Sequence, residues 1–441
     1  LAAAGATGLG LRPGRRHAGS AAACEAPAAG RGGAAALEGR DFTVFRRSPE
    51  GLLAEPAARR SSLAQLIEAL GAPAAPACSS AGSPAPAAAG PRVVLLGEVH
   101  DDAVAHGLQL QVLRGLHAAC RAQGRTLVLS LEMFESDVQR VLDEYVLRRA
   151  IREEDMMQDA RPWANYAQDY RPLVEFCREH GVRVVAANAP RRYVSLVARR
   201  GAGELQALLQ GGPGGSQGSQ ELPPLPLPPA SASYRQKFIE TIASQMAPPQ
   251  AGTQEGGCPF IGFRASDVRD VKPEMLDAQL LWDHAMAQSI ARALEETGPG
   301  ALVVHVCGAF HCAHGLGIPE ALPRYAEFPA QSAVREVPEA PWLPIDEAPA
   351  AIARLGAPDA GEGDAVGPKN CPEGVVSVVC WPAAVSATLE VVAAGRVPAS
   401  LGTMGDWVVV TEETWGSAPP HEGAAQQAAR GRTGPGKVHG H

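Results

Sequence analysis

Residues 93–100 read Val-Val-Leu-Leu-Gly-Glu-Val-His, a short run of aliphatic side chains that leads into a Gly-x-x-His motif. Residues 302–311 repeat the arrangement as Leu-Val-Val-His-Val-Cys-Gly-Ala-Phe-His. Such runs, bounded by glycine, are typical of strands buried on both faces of a parallel sheet. Because ligands of open α/β sheets bind beyond the carboxyl ends of the strands, we expect Glu98, His100 and His311 to share a site there.

Strand and helix patterns alternate along the rest of the patterned region. The aliphatic run 126–131 ends in Glu132, and a third run covers 182–187. Amphipathic helices are predicted near 103–123, 136–149, 153–159 and 272–296. This series predicts an α/β fold with a central, mostly parallel sheet flanked by helices. A right-handed crossover would bring Glu132 to the same sheet edge as the two motifs.

Stretches rich in Ala, Gly, Pro and Ser divide the chain. We expect residues 1–40 to be a transit peptide or disordered tail, because residues 1–24 carry three arginines and no acidic side chain. Residues 41–345 are predicted to form the α/β domain, followed by a C-terminal extension with late strands at 346–414 and a disordered tail at 415–441. Flexible insertions are predicted within the domain, at 72–91, 211–231 and 247–258.

Composition and missing motifs exclude several classes of protein. The chain has 39 basic and 47 acidic residues and no basic block in its patterned region, so nucleic acid is not an expected partner. No apolar run approaches the roughly 20 residues of a transmembrane helix. The nine cysteines are irregularly spaced, which indicates free thiols. No nucleotide-binding glycine motif or Gly-x-Ser-x-Gly elbow follows a predicted strand, and no His-Glu-x-x-His helix is present.

Two carboxylates and two imidazoles are the candidate catalytic or metal-binding groups at the predicted edge: Glu98, His100, Glu132 and His311. They could bind a divalent metal ion that activates water, or they could act as a metal-free acid–base pair. Gln279 and Asp283 lie on one face of the predicted long helix and could add to this group.

Aromatic and basic residues near the strand ends allow a different use. A flat cofactor with carboxylate groups needs apolar walls, an axial phenolate or imidazole, and cations for its propionates. The candidate haem-binding residues are Tyr166, Tyr170, Arg171, Arg191 and His311. The alternative is that the tyrosines pack beneath a loop and the arginines face solvent.

Several motifs taken together resemble the ChaN-like haem-binding family of the Tiki and erythromycin-esterase superfamily. They occur in the family's order within residues 41–330, interrupted by the insertions. The matching segments are 95–102 (LLGEVHDD), 131–134 (LEMF), 170–173 (YRPL), 186–191 (AANAPR), 279–287 (QLLWDHAMA) and 308–311 (GAFH).

The resemblance implies an α/β fold and, in bacterial members, haem binding linked to iron uptake with a tyrosine as iron ligand. Superfamily relatives include metalloproteases and esterases that use the Gly-x-x-His region. We therefore expect a protein that binds haem or a related tetrapyrrole, with a metal-assisted hydrolase as the alternative. Plant and algal members tend to be plastid proteins, so we expect a soluble or peripheral chloroplast protein. A homodimer is a candidate assembly.

Overall fold

The computed structural model describes eight segments of the chain, and they form one sheet with helices on both faces. The described residues are 42–47, 58–73, 90–210, 221–246, 272–298, 300–328, 371–382 and 404–411. The strands are β1 (Phe42–Arg47), β2 (Ala58–Ser61), β3 (Val93–Glu98), β4 (Leu127–Glu135), β5 (Arg183–Asn188), β6 (Leu302–Gly308), β7 (Val375–Pro382) and β8 (Trp407–Thr411).

The eight strands lie in the order β2-β1-β8-β7-β3-β6-β4-β5. Strand β1 pairs antiparallel with β2 and β8, and the other five neighbouring pairs are parallel. The predicted fold class, α/β with a mostly parallel central sheet, is therefore confirmed. The strands β3 and β6 are direct neighbours, with Glu98 paired with Gly308, so the two Gly-x-x-His motifs leave the sheet side by side.

Eleven α-helices are described within these segments, and they cover both faces of the sheet. They are α1 (Leu63–Leu70), α2 (Ala103–Gln123), α3 (Gln139–Val146), α4 (Glu153–Ala160), α5 (Tyr166–Asp169), α6 (Arg171–His180), α7 (Arg191–Arg200), α8 (Ala202–Gln210), α9 (Ala232–Met246), α10 (Pro273–Thr297) and α11 (Ile318–Ala321).

Local sequence explains where helix α2 begins and ends. The Asp102 carboxylate accepts hydrogen bonds from the main-chain N–H groups of Val104 and Ala105, at 3.0 and 3.1 Å. Such a cap satisfies two N–H groups that have no partner within the helix. Gly124 ends the helix with a φ of 65°, a left-handed conformation that favours glycine. This helix follows His100 directly, so its fixed start also limits the position of that residue.

Helices α2 and α10 pack on opposite faces of the sheet. Leu113 and Leu116 of α2 belong to one hydrophobic cluster, and Met286 and Ile290 of α10 belong to the other. Burial of each such side chain contributes about 1.5–3 kcal/mol. Within the described residues, no helix is both long and apolar enough to cross a membrane.

The C-terminal segment is more closely integrated than the sequence suggested. Strands β7 and β8 were predicted as late strands of an extension at 346–414, but they lie inside the sheet, between β3 and β1. The boundary expected at residue 345 does not separate two folded parts, because main-chain hydrogen bonds join β7 to β3 along a parallel register.

Part of the segment 211–231, which was predicted to be a flexible insertion, is packed, and residues 211–220 lie outside the described residues. Residues 221–231 are described, and Leu222 is buried with Val194 and Leu205, so this part packs against the domain. The predicted tails at 1–40 and 415–441, the insertion at 247–258 and most of the insertion at 72–91 lie outside the described residues.

Candidate functional site

Gly308 lies between the two histidines of the Gly-x-x-His motifs. A Cβ atom at this position would lie 2.9 Å from Cε1 of His100 and 3.6 Å from Cδ2 of His311. Only a residue without a side chain permits this approach. The structure therefore brings the two motifs together at the carboxyl edge of the sheet.

The site has two halves, one around Glu98 and one around His311. Glu98 is ionised and lies at the centre of the first half. Tyr170 Oη donates a 2.5 Å hydrogen bond to its Oε1, which also lies 3.0 Å from His100 Nδ1. Gln109 Nε2 donates to Oε2, and His106 Nε2 lies 3.4 Å from the same oxygen. Burial alone would raise the pKa of Glu98, but its contacts with His100 and His106 outweigh burial and lower the pKa to about 2. Glu98 therefore carries a charge at any physiological pH.

His106, on α2, is a site residue that the sequence analysis missed. Its Nδ1 lies 3.3 Å from Oδ1 of Asp169, and its Nε2 faces Glu98. Burial opposes protonation, but these two carboxylates raise the pKa of His106 to about 10. The first turn of an amphipathic helix carried no signal for this role, because a histidine on a buried face more often serves as a packing residue.

The second half of the site is built around His311. Its Nδ1 lies 2.6 Å from Oδ1 of Asp283, and its Nε2 lies 3.5 Å from Oε1 of Glu132. Tyr234 Oη donates to the other oxygen of Asp283. Burial opposes protonation of His311, but the charges of Glu132 and Asp283 raise its pKa to about 10.

Glu132 reaches this site from an irregular part of β4. The pairing of β4 with β5 shifts register between Leu131 and Glu135, and such bulges redirect side chains. The main-chain N–H of Gly308 donates to Glu132 Oε2 at 2.7 Å. Burial would raise the pKa of Glu132, but the charge and contact of His311, the charge of His100 and the hydrogen bond from Gly308 together lower the pKa to about 2.

His100 is the more accessible imidazole of the site. Its side chain is 21% exposed and meets the Trp163 ring edge-on, with 4.9 Å between ring centroids. Its Nδ1 contacts Glu98, and Nε2 makes no hydrogen bond among the described residues. Burial opposes protonation, but the contact with Glu98 and the charge of Glu132 raise the pKa of His100.

The candidate haem-binding tyrosines are both fully buried, but they have different surroundings. Tyr170 belongs to the site through its hydrogen bond to Glu98, whereas Tyr166 packs against Phe134 in the hydrophobic core. Burial raises the pKa of Tyr166 and of Tyr170, and the charge of Glu98 raises that of Tyr170 further. Both raised pKa values favour the neutral phenol over the phenolate.

The two candidate arginines lie outside the cluster of buried site residues. Arg171 forms an ion pair with Glu153 of helix α4. The Arg191 side chain is 72% exposed, and its Nε lies 3.6 Å from Oε1 of Glu135 at the end of β4. Arg191 is the nearer of the two to the carboxyl edge, because Glu135 ends a strand there.

Lys237 is another residue that the sequence analysis missed. It is buried, donates a 2.9 Å hydrogen bond from Nζ to the Ala313 carbonyl, and lies over the Phe310 ring at 4.7 Å. Burial lowers the pKa of Lys237 to about 8. It holds the loop that carries His311. A spacing of three residues from Tyr234 on one helix was its only sequence signal.

The candidate metal ligands are present but already engaged with one another. Glu98, His100, Glu132 and His311 form two carboxylate–imidazole pairs on either side of Gly308. In the part of the chain that the structure describes, no group of three or more His, Cys, Asp and Glu side chains is arranged to hold a metal ion.

Comparisons with known proteins agree with the motif pattern. A family model described as haem-binding uptake, Tiki superfamily, ChaN matches residues 85–322, more than half of the 441 residues. The chain is also 28% identical, over 261 residues, to the Arabidopsis thaliana protein RETICULATA-RELATED 5, chloroplastic. That match covers 57% of this chain and 32% of the relative, so the chain spans about a third of the relative's length.

Two solved structures are also similar. The first shows cofacial haem binding to ChaN of Campylobacter jejuni, with 14% identity, a TM-score of 0.45, and coverage of 85% of this chain and 98% of that one. The second is a Bacillus cereus protein, with 13% identity, a TM-score of 0.34, and coverage of 84% and 95%.

Proposed function

Because the chain belongs to the ChaN haem-binding uptake family of the Tiki superfamily, we propose that it binds haem or a related tetrapyrrole at the carboxyl edge of its sheet. The observation that carries the proposal is the state of His100, whose Nδ1 is held by Glu98 while its Nε2 has no hydrogen bond among the described residues. Metal-ligating histidines usually have one ring nitrogen held by a carboxylate or carbonyl in this way.

The chain's own residues supply the parts that such a ligand needs. Glu98 stays ionised and holds His100 through Nδ1, which leaves Nε2 as the ring nitrogen without a hydrogen bond among the described residues. Trp163 supplies an apolar wall beside that imidazole. Bound haem would supply an iron centre for electron or ligand chemistry.

His100 would hold the iron of a bound haem better than either tyrosine would. A Tyr170 phenolate would lose its hydrogen bond to Glu98 and would face that carboxylate as a second negative charge. Tyr166 is enclosed by core side chains. We therefore propose that His100 would hold the iron, and that the exposed Arg191 would supply a cation for the ligand's carboxylates.

A second candidate function is hydrolysis, and the two carboxylate–imidazole pairs facing each other across Gly308 favour it. A protonated His311 between Glu132 and Asp283 could donate a proton to a leaving group. The candidate catalytic residues are Glu98, His100, Glu132 and His311, with a divalent metal ion as a further requirement in the metal-assisted form.

The proposed location is the plastid. The support is the chloroplastic relative together with an N-terminal region, residues 1–24, that has arginines and no acidic residue before Glu25. A fluorescent fusion of residues 1–441 should accumulate in chloroplasts, and the same fusion without residues 1–40 should remain outside them.

Absorption spectroscopy tests the haem proposal directly. Haem titrated into the purified protein should produce a shifted Soret band that saturates at one equivalent per site. The His100→Ala variant should lose at least about tenfold in affinity, which is 1.4 kcal/mol. His117→Gln serves as the control. His117 lies in helix α2 but away from the site, since its ring packs against Phe176 and His180.

The same preparations separate the two functions. Equal haem affinity of native protein and His100→Ala, together with a stoichiometric divalent ion that His100→Ala loses, would reject the haem assignment in favour of hydrolysis. A Soret shift that depends on His100, in protein without such an ion, would support haem binding.

A further inference from the structure

Gln279 is a fully buried side chain whose hydrogen-bonding groups are unused. It is 0% exposed, and neither its Nε2 nor its Oε1 has a hydrogen-bond partner in the described structure. A buried amide without partners loses its hydration and gains nothing in return, so such groups are rare. Where one occurs, a ligand or an ordered water usually provides the missing bonds.

Helix geometry places Gln279 above the carboxyl edge of the sheet. Ser289, later in the same helix, donates a 3.1 Å hydrogen bond to the carbonyl of Ala187, one residue before β5 ends. Gln279 precedes Ser289 by ten residues, which is about 15 Å along a helix axis. Helix α10 precedes β6 and runs back along the sheet towards the start of that strand. The path from Ser289 to Gln279, towards the N-terminus of the helix, therefore leads outward past the carboxyl ends of the strands.

Gln279 also faces the site and not the outer surface of the helix. Residues four apart lie on the same helix face, and Asp283, four residues after Gln279, contacts His311 at 2.6 Å. The rings of His311 and His100 both lie next to Gly308. A flat ligand attached at His100 would meet the Gln279 amide if it lay across His311.

The carboxylates of the site already face imidazoles. Asp283 and Glu132 both face His311, and Glu98 faces His100 and His106. An uncharged amide can therefore recognise a ligand group without adding an unpaired charge. A carboxyl group suits it best, because its oxygens accept from the amide N–H and its protonated form also donates to the amide oxygen.

We propose that Gln279 binds a peripheral carboxyl group of the tetrapyrrole that His100 holds, and so selects carboxyl-bearing tetrapyrroles over their esters. The inference rests on the proposed function of the site. The unbound protein carries the unpaired amide at a cost in stability, as residues that serve binding often do. The same side chain then contributes to affinity when the ligand provides its partners.

The test pairs a protein change with a ligand change. Haem and haem dimethyl ester, in which both propionates are methylated, are titrated into native protein and into Gln279→Leu. The native protein should bind haem about tenfold more tightly than the ester, which is 1.4 kcal/mol. In Gln279→Leu the two affinities should differ by less than about threefold, because the leucine can bond to neither form.

The controls address folding and position. Gln288→Leu changes a half-buried glutamine of the same helix and should keep the native ratio of the two affinities. Without ligand, Gln279→Leu should unfold at a temperature about 2–4 °C higher than native protein, since it removes an unpaired buried group. Gln279→Met offers a second apolar side chain should the leucine variant fold poorly.

The outcomes are distinguishable. An affinity ratio that is the same in native protein, Gln279→Leu and Gln279→Met would overturn the role of Gln279 and leave haem binding intact. A lower unfolding temperature for both unliganded variants would show that the amide has a structural partner, and would also overturn it. Absence of any Soret shift in native protein would reject the proposed function and this inference together.

Discussion

His311 Nδ1 lies 2.6 Å from Asp283 Oδ1, and this contact joins the second Gly-x-x-His motif to the long helix α10. Both side chains are buried, so the pair lies in a low-dielectric interior. A third group, Glu132, lies near the other ring nitrogen of His311. Buried charges of this kind are costly to separate, because the remaining partner cannot recover its hydration.

Asp283→Asn should lower the free energy of unfolding by about 3–5 kcal/mol at neutral pH. The His311 pKa is raised to about 10, so the stability from its protonation is complete below about pH 6.5 and is lost as pH rises through 10. Urea denaturation of native protein and Asp283→Asn should therefore show a smaller difference at pH 10 than at pH 6. An equal difference at both pH values would contradict the assigned charge.

Haem affinity should fall with decreasing pH. The proposed iron ligand is neutral His100, and protons compete for its nitrogen below a pKa that lies above 6.5. Affinity measured by Soret titration should decline up to tenfold per pH unit below that pKa and level off above it. In His100→Ala the remaining affinity should lack this dependence, and a pH profile identical to that of native protein would exclude His100 as the titrating ligand.

Gly308→Ala should disturb the site more than it disturbs the strand. The added methyl group would lie 2.9 Å from Cε1 and 3.0 Å from Nε2 of His100, so the imidazole must move. We expect a loss of about 1–3 kcal/mol in stability and at least tenfold in haem affinity. Gly300→Ala, where no atom lies within 4 Å of the added carbon, is the matched control and should leave haem affinity unchanged.

Lys237 should make stability depend on pH in the alkaline range. Its pKa falls from 10.5 to about 8 on burial, so the unfolded chain binds more protons than the folded one between these values. Native protein should therefore gain roughly 2–3 kcal/mol relative to Lys237→Met as pH rises from 8 to 10.5. Urea denaturation across this range measures the gain. Parallel curves for the two proteins would contradict the lowered pKa of the buried lysine.

Several strands and helix ends could be predicted from sequence because they depend on the local pattern of apolar residues and glycines. Aliphatic runs at 93–96, 126–131 and 301–306 predicted strands that begin within one residue of the observed starts and end two to four residues before the observed ends, and Gly124 marked the end of helix α2. Parallel strands separated by helices all end at one edge, so the meeting of the two Gly-x-x-His motifs also followed from the pattern.

Other features depended on partners distant in the chain. Strand β8 pairs with β1 across more than 350 residues, and no local pattern could show that the C-terminal strands complete the sheet. His106, which faces Glu98 and Asp169, and Lys237, which holds the His311 loop, resemble ordinary helix residues in sequence. Their charge states arise only after burial beside carboxylates or carbonyl groups.

Local sequence pattern predicted the α/β class and the strand ends that carry Glu98, His100, Glu132 and His311, and the motifs resembled those of the family. Short-range periodicity and glycine positions are sufficient for the class and the strand ends, because each depends on neighbours within one element. Packing established which imidazole keeps an open nitrogen, which tyrosine reaches the site and which amide is left unpaired. Those properties depend on desolvation and on contacts between elements, and the chain acquires them only when it packs.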